Sequence, residues 1–260
     1  MIFVTGYKGF IGKNLMKRLD PDECILIDED NYYYSSSRVT DWSKVTKIYH
    51  LGAISSTTET DVAKIFTKNI HYTLNLFQRA IEYNIPIVYA SSASVYGNSF
   101  IYTINPLNYY AMSKATIDYW MQDNIDKFIN VVGLRFFNVY GEGEEHKGSQ
   151  ASPIYQFTKQ AKETGIIKVF EGSENFFRDF VWVEDCIDCM LTDMPSGVYD
   201  CGSSRYMSFY EVAQIIADKY NSDIQVIPFP DHLKEKYQKY TLSRNHFDKK
   251  FMTVREYVER

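Results

Sequence analysis

A glycine-rich turn lies between the first apolar run of the chain and its first amphipathic stretch. Residues 2–5 (IFVT) are typical of a buried strand, and residues 10–19 have the apolar spacing of a helix. Between them stand Gly6, Gly9 and Gly12. In such a turn one glycine permits the tight reversal, one lets the backbone approach a pyrophosphate, and one allows close helix–sheet packing. The spacing predicts a dinucleotide-binding turn, and glycines that serve only the reversal are the alternative.

Short apolar runs and longer amphipathic stretches keep alternating through the first half of the chain. The predicted strands are 24–27, 47–51, 85–90 and 130–134, and the predicted helices are 61–83 and 109–127. This alternation is typical of βαβ units, whose right-handed crossovers build a parallel sheet covered on both faces. We therefore expect an α/β fold with a doubly wound parallel sheet of the Rossmann type.

The pattern loosens after about residue 140. Residues 141–149 (GEGEEHKGS) predict a loop. Further strands are predicted at 167–170, 179–183, 198–201 and 224–227, with helices at 153–162 and 208–220 and a polar tail. We expect residues 1–140 to form a dinucleotide-binding domain and residues 141–260 a smaller, interleaved α/β substrate-binding domain. Segments near 179–205 are expected to return to the first domain.

Composition narrows the classes of partner. The 28 basic and 33 acidic residues give a net charge of −5, which predicts no broad nucleic-acid surface. No apolar run approaches the ~20 residues that span a bilayer, and no signal-peptide pattern precedes the first strand. We expect a cytoplasmic protein with reduced cysteines and no membrane partner. Cys186 and Cys189 have CxxC spacing but no second ligand pair, so no metal site is predicted.

Asp28 ends the second predicted strand, sixteen residues after Gly12. A carboxylate at this place can accept hydrogen bonds from a ribose hydroxyl of a dinucleotide. Solubilising the end of a strand is the alternative role.

A serine, a tyrosine and a lysine suggest the chemistry. Tyr110 and Lys114 are one helical turn apart, so their side chains share a face. We expect the positive charge to lower the pKa of the tyrosine and make it a usable base. Ser92 follows the fourth strand, where its hydroxyl could bond the oxygen being oxidised. The trio predicts hydride transfer from a carbinol to a nicotinamide, although 22 tyrosines make a packing role the alternative.

The motifs TGYKGFIG, SSASVYG and YAMSK, in that order, resemble the extended short-chain dehydrogenase/reductase superfamily, whose members act on nucleotide-activated sugars. Four longer strings are similar to the ADP-L-glycero-D-manno-heptose 6-epimerase family within it. They are LGAISSTTE, FFNVYGEGEEHKGSQAS, VFEGSENFFRDFVWVED and IPFPDHLKEKYQ. The resemblance extends from residue 1 to about residue 240.

The resemblance implies an oligomeric enzyme with tightly held NADP, with NAD as the alternative cofactor. It implies that C6 of the heptose is oxidised to a ketone, that the intermediate reorients, and that hydride returns to the other face. Tyr110 and Lys147 match the two acid/base groups, Lys114 the lysine that binds the cofactor ribose and tunes Tyr110, and Ser92 the helper hydroxyl. Lys147 can act as a base only if burial or a nearby cation lowers its pKa. A solvated loop lysine is the alternative.

Further positions follow from the same resemblance and from the glycine turn. The expected cofactor contacts are Gly6, Gly9, Phe10, Ile11, Gly12, Asp28, Arg38, Leu51, Gly52, Ala53, Ser55, Asn69, Tyr110, Lys114 and Val139. The expected substrate contacts are Ser92, Asn138, Ser149, Gln156, Phe170, Glu171, Gly172, Ser173, Arg178 and Tyr237. Arg178 is suited to a bidentate grip on a pyrophosphate, and a surface ion pair is its alternative.

The sequence also departs from the family pattern. Residues 29–44 and 97–106 are trimmed, Gln156 replaces a usual histidine, and the C-terminus diverges after about residue 241. Asp28 would repel a 2′-phosphate whereas Arg38 could hold one, so NADP and NAD both remain open. Another nucleotide-sugar epimerase or reductase, or a cofactor-binding protein that has lost catalysis, are the alternative functions. A 4,6-dehydratase is disfavoured because Ala93-Ser94 stands where an acidic pair is needed.

Overall fold

The computed structural model describes residues 1–28, 41–99, 102–231 and 238–260. These residues form two compact units. The first unit consists of Met1–Val95, Pro106–Arg135 and Met190–Tyr199. The second unit consists of Tyr96–Asn105, Phe136–Cys189 and Asp200–Arg260.

A six-stranded sheet has the strand order β2-β1-β3-β4-β5-β9. Its strands are β1 (Ile2–Thr5), β2 (Cys24–Ile27), β3 (Lys47–His50), β4 (Ile87–Ser92), β5 (Val131–Phe136) and β9 (Gly197–Cys201). Strand β1 pairs in parallel with β2 and β3, and β3 pairs in parallel with β4. The expected parallel α/β sheet is confirmed. Because β1 lies between β2 and β3, the strand order reverses at the carboxyl ends of β1 and β3, where nucleotides bind in such sheets.

The helices differ from the predicted ones mainly at their ends. They are Phe10–Met16, Val62–Ile65, Tyr72–Glu82, Tyr109–Asp123, Pro153–Thr164, Val183–Leu191, Phe209–Tyr220 and Val254–Glu259. A π-helical segment, Phe66–His71, interrupts the helix predicted at 61–83. The helix Tyr109–Asp123 begins where the side chain of Asn108 accepts a hydrogen bond from the backbone N–H of Ala111 at 2.9 Å. This cap fixes the start of the segment that carries Tyr110 and Lys114.

The second unit contains two small sheets. Strands β6 (Asn138–Tyr140), β8 (Phe177–Trp182) and β10 (Tyr206–Ser208) form one, in the order β10-β8-β6. Strands β7 (Ile166–Phe170) and β11 (Asp223–Ile227) pair in parallel as the other. The expectation that residues 179–183 return to the large sheet is wrong, since β8 pairs with β6 and β10. An apolar run identifies a strand but not the strand that it pairs with.

Several elements were absent from the sequence-based expectations, among them the strands β6 and β10 and the following three. Val183–Leu191 is a helix, the predicted loop 141–149 contains the short 3-10 segment Glu145–Gln150, and the polar tail ends in the helix Val254–Glu259. The last of these had a readable signal, because Thr253 and Glu256 form a capping box. Within the described part of the chain, no helix has the length and apolar character needed to cross a membrane.

Two separate apolar clusters stabilise the fold. One includes Phe77, Ile87, Ile117 and Met121, so the helix Tyr109–Asp123 buries its apolar face beside β4. The other lies in the second unit and is built from helices Pro153–Thr164 and Phe209–Tyr220 against β7. The first cluster therefore gives the Tyr110 helix a rigid support.

Candidate active site

The glycine turn after β1 is packed so tightly that side chains are excluded from it. Gly6 has φ +70°, and a Cβ added there would lie 2.6 Å from the backbone N of Gly52. A Cβ on Gly12 would lie 2.1 Å from the carbonyl oxygen of Gly6. The N–H of Gly6 donates to the carbonyl of Ile27 at 2.8 Å, which joins the turn to the end of β2. Both positions therefore require glycine.

Gly9 precedes the helix Phe10–Met16 with extended backbone and no capping side chain. Its N–H donates to the carbonyl of Gly6 at 3.1 Å. Phe10 is buried and Ile11 is partly buried. A backbone turn that excludes side chains, at the switch point of a parallel sheet, fits the pyrophosphate of a dinucleotide.

Asp28 lies beside this turn. Its Oδ2 accepts a hydrogen bond from the backbone N–H of Lys8 at 2.9 Å. The carboxylate of Asp28 therefore helps to hold the glycine turn, which is more than the alternative role of solubilising the end of β2. Arg38 and Tyr237 lie outside the described residues.

The segment after β3 is held against the end of β1. The N–H of Gly52 donates to Thr5 Oγ1 at 2.9 Å, and Thr5 Oγ1 also bonds His50 Nδ1 at 2.6 Å. Burial, with a smaller contribution from the charge of Lys114, lowers the pKa of His50 to about 3. Among the expected contacts in this segment, Leu51, Gly52 and Ala53 are partly buried and Ser55 is exposed.

Asn69 is fully buried in the π-helical segment. Its Oδ1 accepts from the N–H of Ile54 at 2.8 Å, and its Nδ2 donates to the carbonyl of Ile54 and to Ser113 Oγ, both at 3.0 Å. Ser113 lies between Tyr110 and Lys114 on the neighbouring helix. The Asn69 amide therefore connects the segment after β3 to the helix that carries Tyr110.

Ser92, Tyr110 and Lys114 come together in the first unit. The hydroxyl of Ser92 lies near the phenol of Tyr110 and acts to lower the pKa of that phenol. Lys114 is 3% exposed, and its Nζ donates to the carbonyl of Ala90 at 2.7 Å. The same Nζ lies 5.9 Å from the centroid of the Tyr110 ring. This is the arrangement that a hydroxyl-to-ketone oxidation requires of a base and its helper hydroxyl.

The protonation of this group differs from the sequence-based expectation. Burial lowers the pKa of Lys114 to about 8, and the charge of Asp118 opposes that change. Burial also raises the pKa of Tyr110; the hydroxyl of Ser92 opposes this, and Asp118 adds to it. The expectation that the pKa of Tyr110 is lowered is therefore wrong in direction. Removal of the phenol from water outweighs the effect of neighbouring charge.

Lys147 lies in the second unit, in the 3-10 segment Glu145–Gln150. Its Nζ lies 3.3 Å from a carboxylate oxygen of Glu144, which is 1% exposed. Glu144 also accepts bonds from the N–H of Gly141, at 3.1 Å, and from the N–H and Oγ of Ser152, at 2.6 and 2.7 Å. The ammonium of Lys147 is therefore held by a buried carboxylate that the backbone of the same loop fixes in place.

The neighbours of Lys147 are ordered by backbone contacts. Gln156 Nε2 donates to the carbonyl of Gly148 at 2.5 Å, whereas Ser149 is exposed. Asn138 and Val139 lie on β6, where they pair with Phe180 and Val181 of β8.

Arg178 is 5% exposed on β8. Its guanidinium donates to the carbonyls of Phe177 and Gln238 and lies 5.3 Å from the centroid of the Phe209 ring. It is therefore not the surface ion pair that was the alternative.

The loop after β7 contains the remaining expected substrate contacts. Phe170 packs against Phe229 with ring centroids 5.5 Å apart. Gly172 has φ +82°, which explains a glycine there. Glu171 is exposed and Ser173 is buried.

Sequence reasoning missed two buried carboxylates, Asp118 and Glu144. Each had a spacing signal, since Asp118 is four residues after Lys114 and Glu144 is three residues before Lys147.

Comparisons with known proteins agree with this geometry. The model of the NAD dependent epimerase/dehydratase family matches residues 2–200. An ADP-L-glycero-D-manno-heptose-6-epimerase from Brachyspira hyodysenteriae is 38% identical over 306 aligned positions, covering 100% of this chain and 96% of that protein. The Alkalilimnicola ehrlichii protein of the same name is 37% identical, covering 93% of this chain and 88% of that protein.

A solved structure of similar fold is the Helicobacter pylori ADP-L-glycero-D-manno-heptose-6-epimerase. It has a TM-score of 0.82 and 25% identity, and the match covers 99% of this chain and 93% of that one. The family match and both relatives cover most of the chain. The chain therefore belongs to the NAD dependent epimerase/dehydratase family and is an enzyme that works with a nicotinamide cofactor.

Proposed function

We propose that this enzyme inverts C6 of ADP-D-glycero-D-manno-heptose by transient oxidation and re-reduction. The observation that carries the chemistry is the phenol of Tyr110 beside the hydroxyl of Ser92, with the buried Lys114 one turn away. The choice of sugar is supported by the names of two relatives that are 37% and 38% identical over most of the chain.

Ser92, Tyr110 and Lys114 each have a role in the first half-reaction. When bound, the nicotinamide accepts the hydrogen of C6 as hydride and later returns it to carbon. The Tyr110 oxygen takes the proton of the C6 hydroxyl, while the hydroxyl of Ser92 donates a hydrogen bond to the same sugar oxygen. The ammonium of Lys114 binds the cofactor ribose and stabilises the phenolate form of Tyr110 by its charge.

Lys147 is proposed as the second proton-transfer group, which serves the opposite face of the sugar. As an ammonium paired with Glu144, it would give its proton to the C6 oxygen while hydride returns to the C6 carbon. Lys147→Met should lower turnover about 10²–10⁴-fold. The exposed Lys159→Met is the matched control and should keep wild-type turnover. Equal turnover in both variants would remove Lys147 from this role.

NADP is the proposed cofactor, held at its pyrophosphate by the turn Gly6–Gly12. The resemblance and Arg38 support NADP, whereas Asp28 beside the turn favours a free 2′-hydroxyl and hence NAD. The mass of the cofactor released when the purified protein is denatured decides between them. A released cofactor without the 2′-phosphate would contradict NADP.

The first unit is proposed to bind the dinucleotide and the second the sugar nucleotide. Arg178 is a planar cation suited to two diphosphate oxygens at once. Arg178→Lys should therefore raise KM for the sugar nucleotide more than it lowers kcat. We further propose a cytoplasmic homo-oligomer, which light scattering of the purified protein would test.

The decisive experiment is one substrate assay. Cofactor-loaded enzyme with ADP-D-glycero-D-manno-heptose should yield the L-glycero epimer with no net consumption of NADPH. Loss of activity in Tyr110→Phe, but not in the exposed neighbour Tyr109→Phe, should accompany it. Absence of the epimer would contradict the proposal. A parallel screen of UDP- and GDP-sugars would then show whether another nucleotide sugar is the substrate.

A further inference from the structure

We propose that Asp118 is a positioning residue whose buried carboxylate fixes Tyr110 and Lys114 against β4 and places a negative charge one helical turn from Lys114. The inference rests on the proposed function in taking Tyr110 and Lys114 as the proton-transfer pair. Asp118 itself is placed in contact with neither cofactor nor substrate.

Asp118 joins three elements of the first unit. It is 2% exposed on the helix Tyr109–Asp123. Its Oδ1 accepts from the hydroxyl of Tyr89 at 2.9 Å, and its Oδ2 accepts from the hydroxyl of Ser91 at 2.8 Å. Arg135 Nε on β5 donates to the same Oδ2 at 2.9 Å. The carboxylate therefore ties the helix to both β4 and β5.

These bonds add to two further contacts between the helix and β4. The hydroxyl of Ser92 lies near the phenol of Tyr110, and one turn along the helix Lys114 bonds the carbonyl of Ala90. One further turn brings Asp118 to the side chains on either side of Ala90.

Because Asp118 bonds two side chains of β4 at once, it opposes sliding of the helix along the strand. Sliding would separate Tyr110 from Ser92.

Gly133 on β5 makes room for this arrangement. A Cβ added to Gly133 would lie 2.4 Å from the hydroxyl oxygen of Tyr89. The missing side chain leaves the space in which that hydroxyl reaches Asp118. The sequence of β5 thus supplies both the space and, in Arg135, the cation that pairs with Asp118.

The charge of Asp118 also acts on the titratable groups near it. The titratable groups packed around Asp118 and Lys114 are Tyr110 on the same helix, Tyr89 on β4, Arg135 on β5 and His50 on β3. Burial lowers the pKa of Lys114, and the one charge that opposes this is Asp118. Asp118 also raises the pKa of Tyr110. Without the carboxylate charge, both groups would lose their protons at lower pH.

Asp118→Asn tests this directly because it keeps the size of the side chain and removes its charge. The probe is the Nζ-adjacent carbon of Lys114, followed by ¹³C NMR of lysine-labelled protein, purified with its cofactor, as pH is raised. The signal that disappears in Lys114→Arg identifies Lys114. We expect the titration midpoint of Lys114 to fall by about one pH unit in Asp118→Asn. The control Asp123→Asn, an exposed carboxylate at the end of the same helix, should leave the midpoint unchanged.

The single variant leaves Arg135 buried without its partner, so it could fail to fold. Asp118→Asn combined with Arg135→Met removes both charges together. Loss of the Arg135 cation offsets part of the loss of the carboxylate, so the midpoint should still fall in the double variant, but by less than in the single one. A wild-type midpoint in either folded variant would overturn the proposal.

A pH–rate profile separates positioning from a general loss of structure. If Asp118 acts as proposed, both limbs of the profile move to lower pH in Asp118→Asn. A role in folding alone would lower the rate equally at every pH and leave the limbs in place, which would also overturn it. The NMR midpoint needs no sugar, so a failure of the heptose assay would refute the proposed function and leave this test intact.

Discussion

The two lysines of the proposed reaction are held in opposite ways. Lys114 is 3% exposed on a 15-residue helix, and its ammonium bonds a backbone carbonyl. Lys147 stands on a short 3-10 segment with its side chain 26% exposed, and its ammonium pairs with Glu144. The ammonium of Lys114 is removed from water, whereas the ammonium of Lys147 is held by a neighbouring carboxylate.

The two lysines therefore show two ways in which a protein holds an ammonium group: burial in the case of Lys114 and an ion pair in the case of Lys147. Burial penalises the charged form of Lys114, and the charge of Asp118 opposes that effect. Lys147 is held by a carboxylate at 3.3 Å without full burial. Changes near Lys114 should therefore affect both folding and rate, whereas changes near Lys147 should affect the rate more than the folding.

The largest effect is expected from Tyr110→Phe, which removes the proposed base beside Lys114. Turnover should fall about 10²–10⁴-fold because general base catalysis is lost while the ring remains. Chromatography of the product at fixed enzyme concentration measures this. Tyr109→Phe is the control, because Tyr109 is 47% exposed on the adjacent position of the helix. A rate within a few-fold of wild type in Tyr110→Phe would contradict the role of Tyr110.

Lys114→Met should change how stability depends on pH. The folded pKa of Lys114 is about 8, below the ~10.4 of an unfolded lysine. Between these values the unfolded chain binds more protons than the folded one, so this lysine makes the wild type more stable as pH rises. The wild type should gain up to ~3 kcal/mol over Lys114→Met between pH 7.5 and 10.5.

Urea denaturation of both proteins at several pH values measures that difference. Subtracting the two curves cancels the contributions of the other titrating groups. Lys159→Met, on an exposed helix position, is the matched lysine control. A flat difference curve for Lys114→Met would show that burial does not act on Lys114 as the structure indicates.

Much of the region around Lys114 could be predicted from the sequence. Gly6, Gly12 and Asp28 have roles that follow from backbone geometry at the end of a strand. Tyr110 and Lys114 share a helical face by spacing alone. The parallel sheet follows from alternating strands and helices. These inferences succeed because they depend on residues close together in the chain.

Features that depend on distant contacts could not be predicted in this way. The partial burial of Tyr110, which raises its pKa, depends on how the helix packs against β4. The partners of β8 lie about 30 to 40 residues away in the sequence, so its apolar pattern did not identify its sheet. The sequence does not distinguish Asp118 from other helix carboxylates, because its partners Tyr89 and Arg135 come from distant parts of the chain.

Glu144→Gln tests the second way of holding a lysine. The carboxylate accepts bonds from Gly141, Lys147 and twice from Ser152. An amide nitrogen cannot accept a bond, so at least one buried donor loses its partner. The free energy of unfolding should fall by about 1–3 kcal/mol, measured by urea denaturation. The exposed neighbour Glu145→Gln is the control, and an equal loss in both variants would show that the bonds of Glu144 do not stabilise the loop.

The smallest effect on folding is expected from Lys147→Met. Its side chain is partly exposed, and Glu144 keeps three protein donors when the ammonium is removed. An ion pair of this kind contributes up to about 1 kcal/mol, so the urea midpoint should change little. Combined with a large fall in turnover, this result would separate the catalytic role of Lys147 from its structural one. A loss of several kcal/mol would instead show that the loop depends on this ammonium for its fold, and the contrast with Lys114 would then disappear.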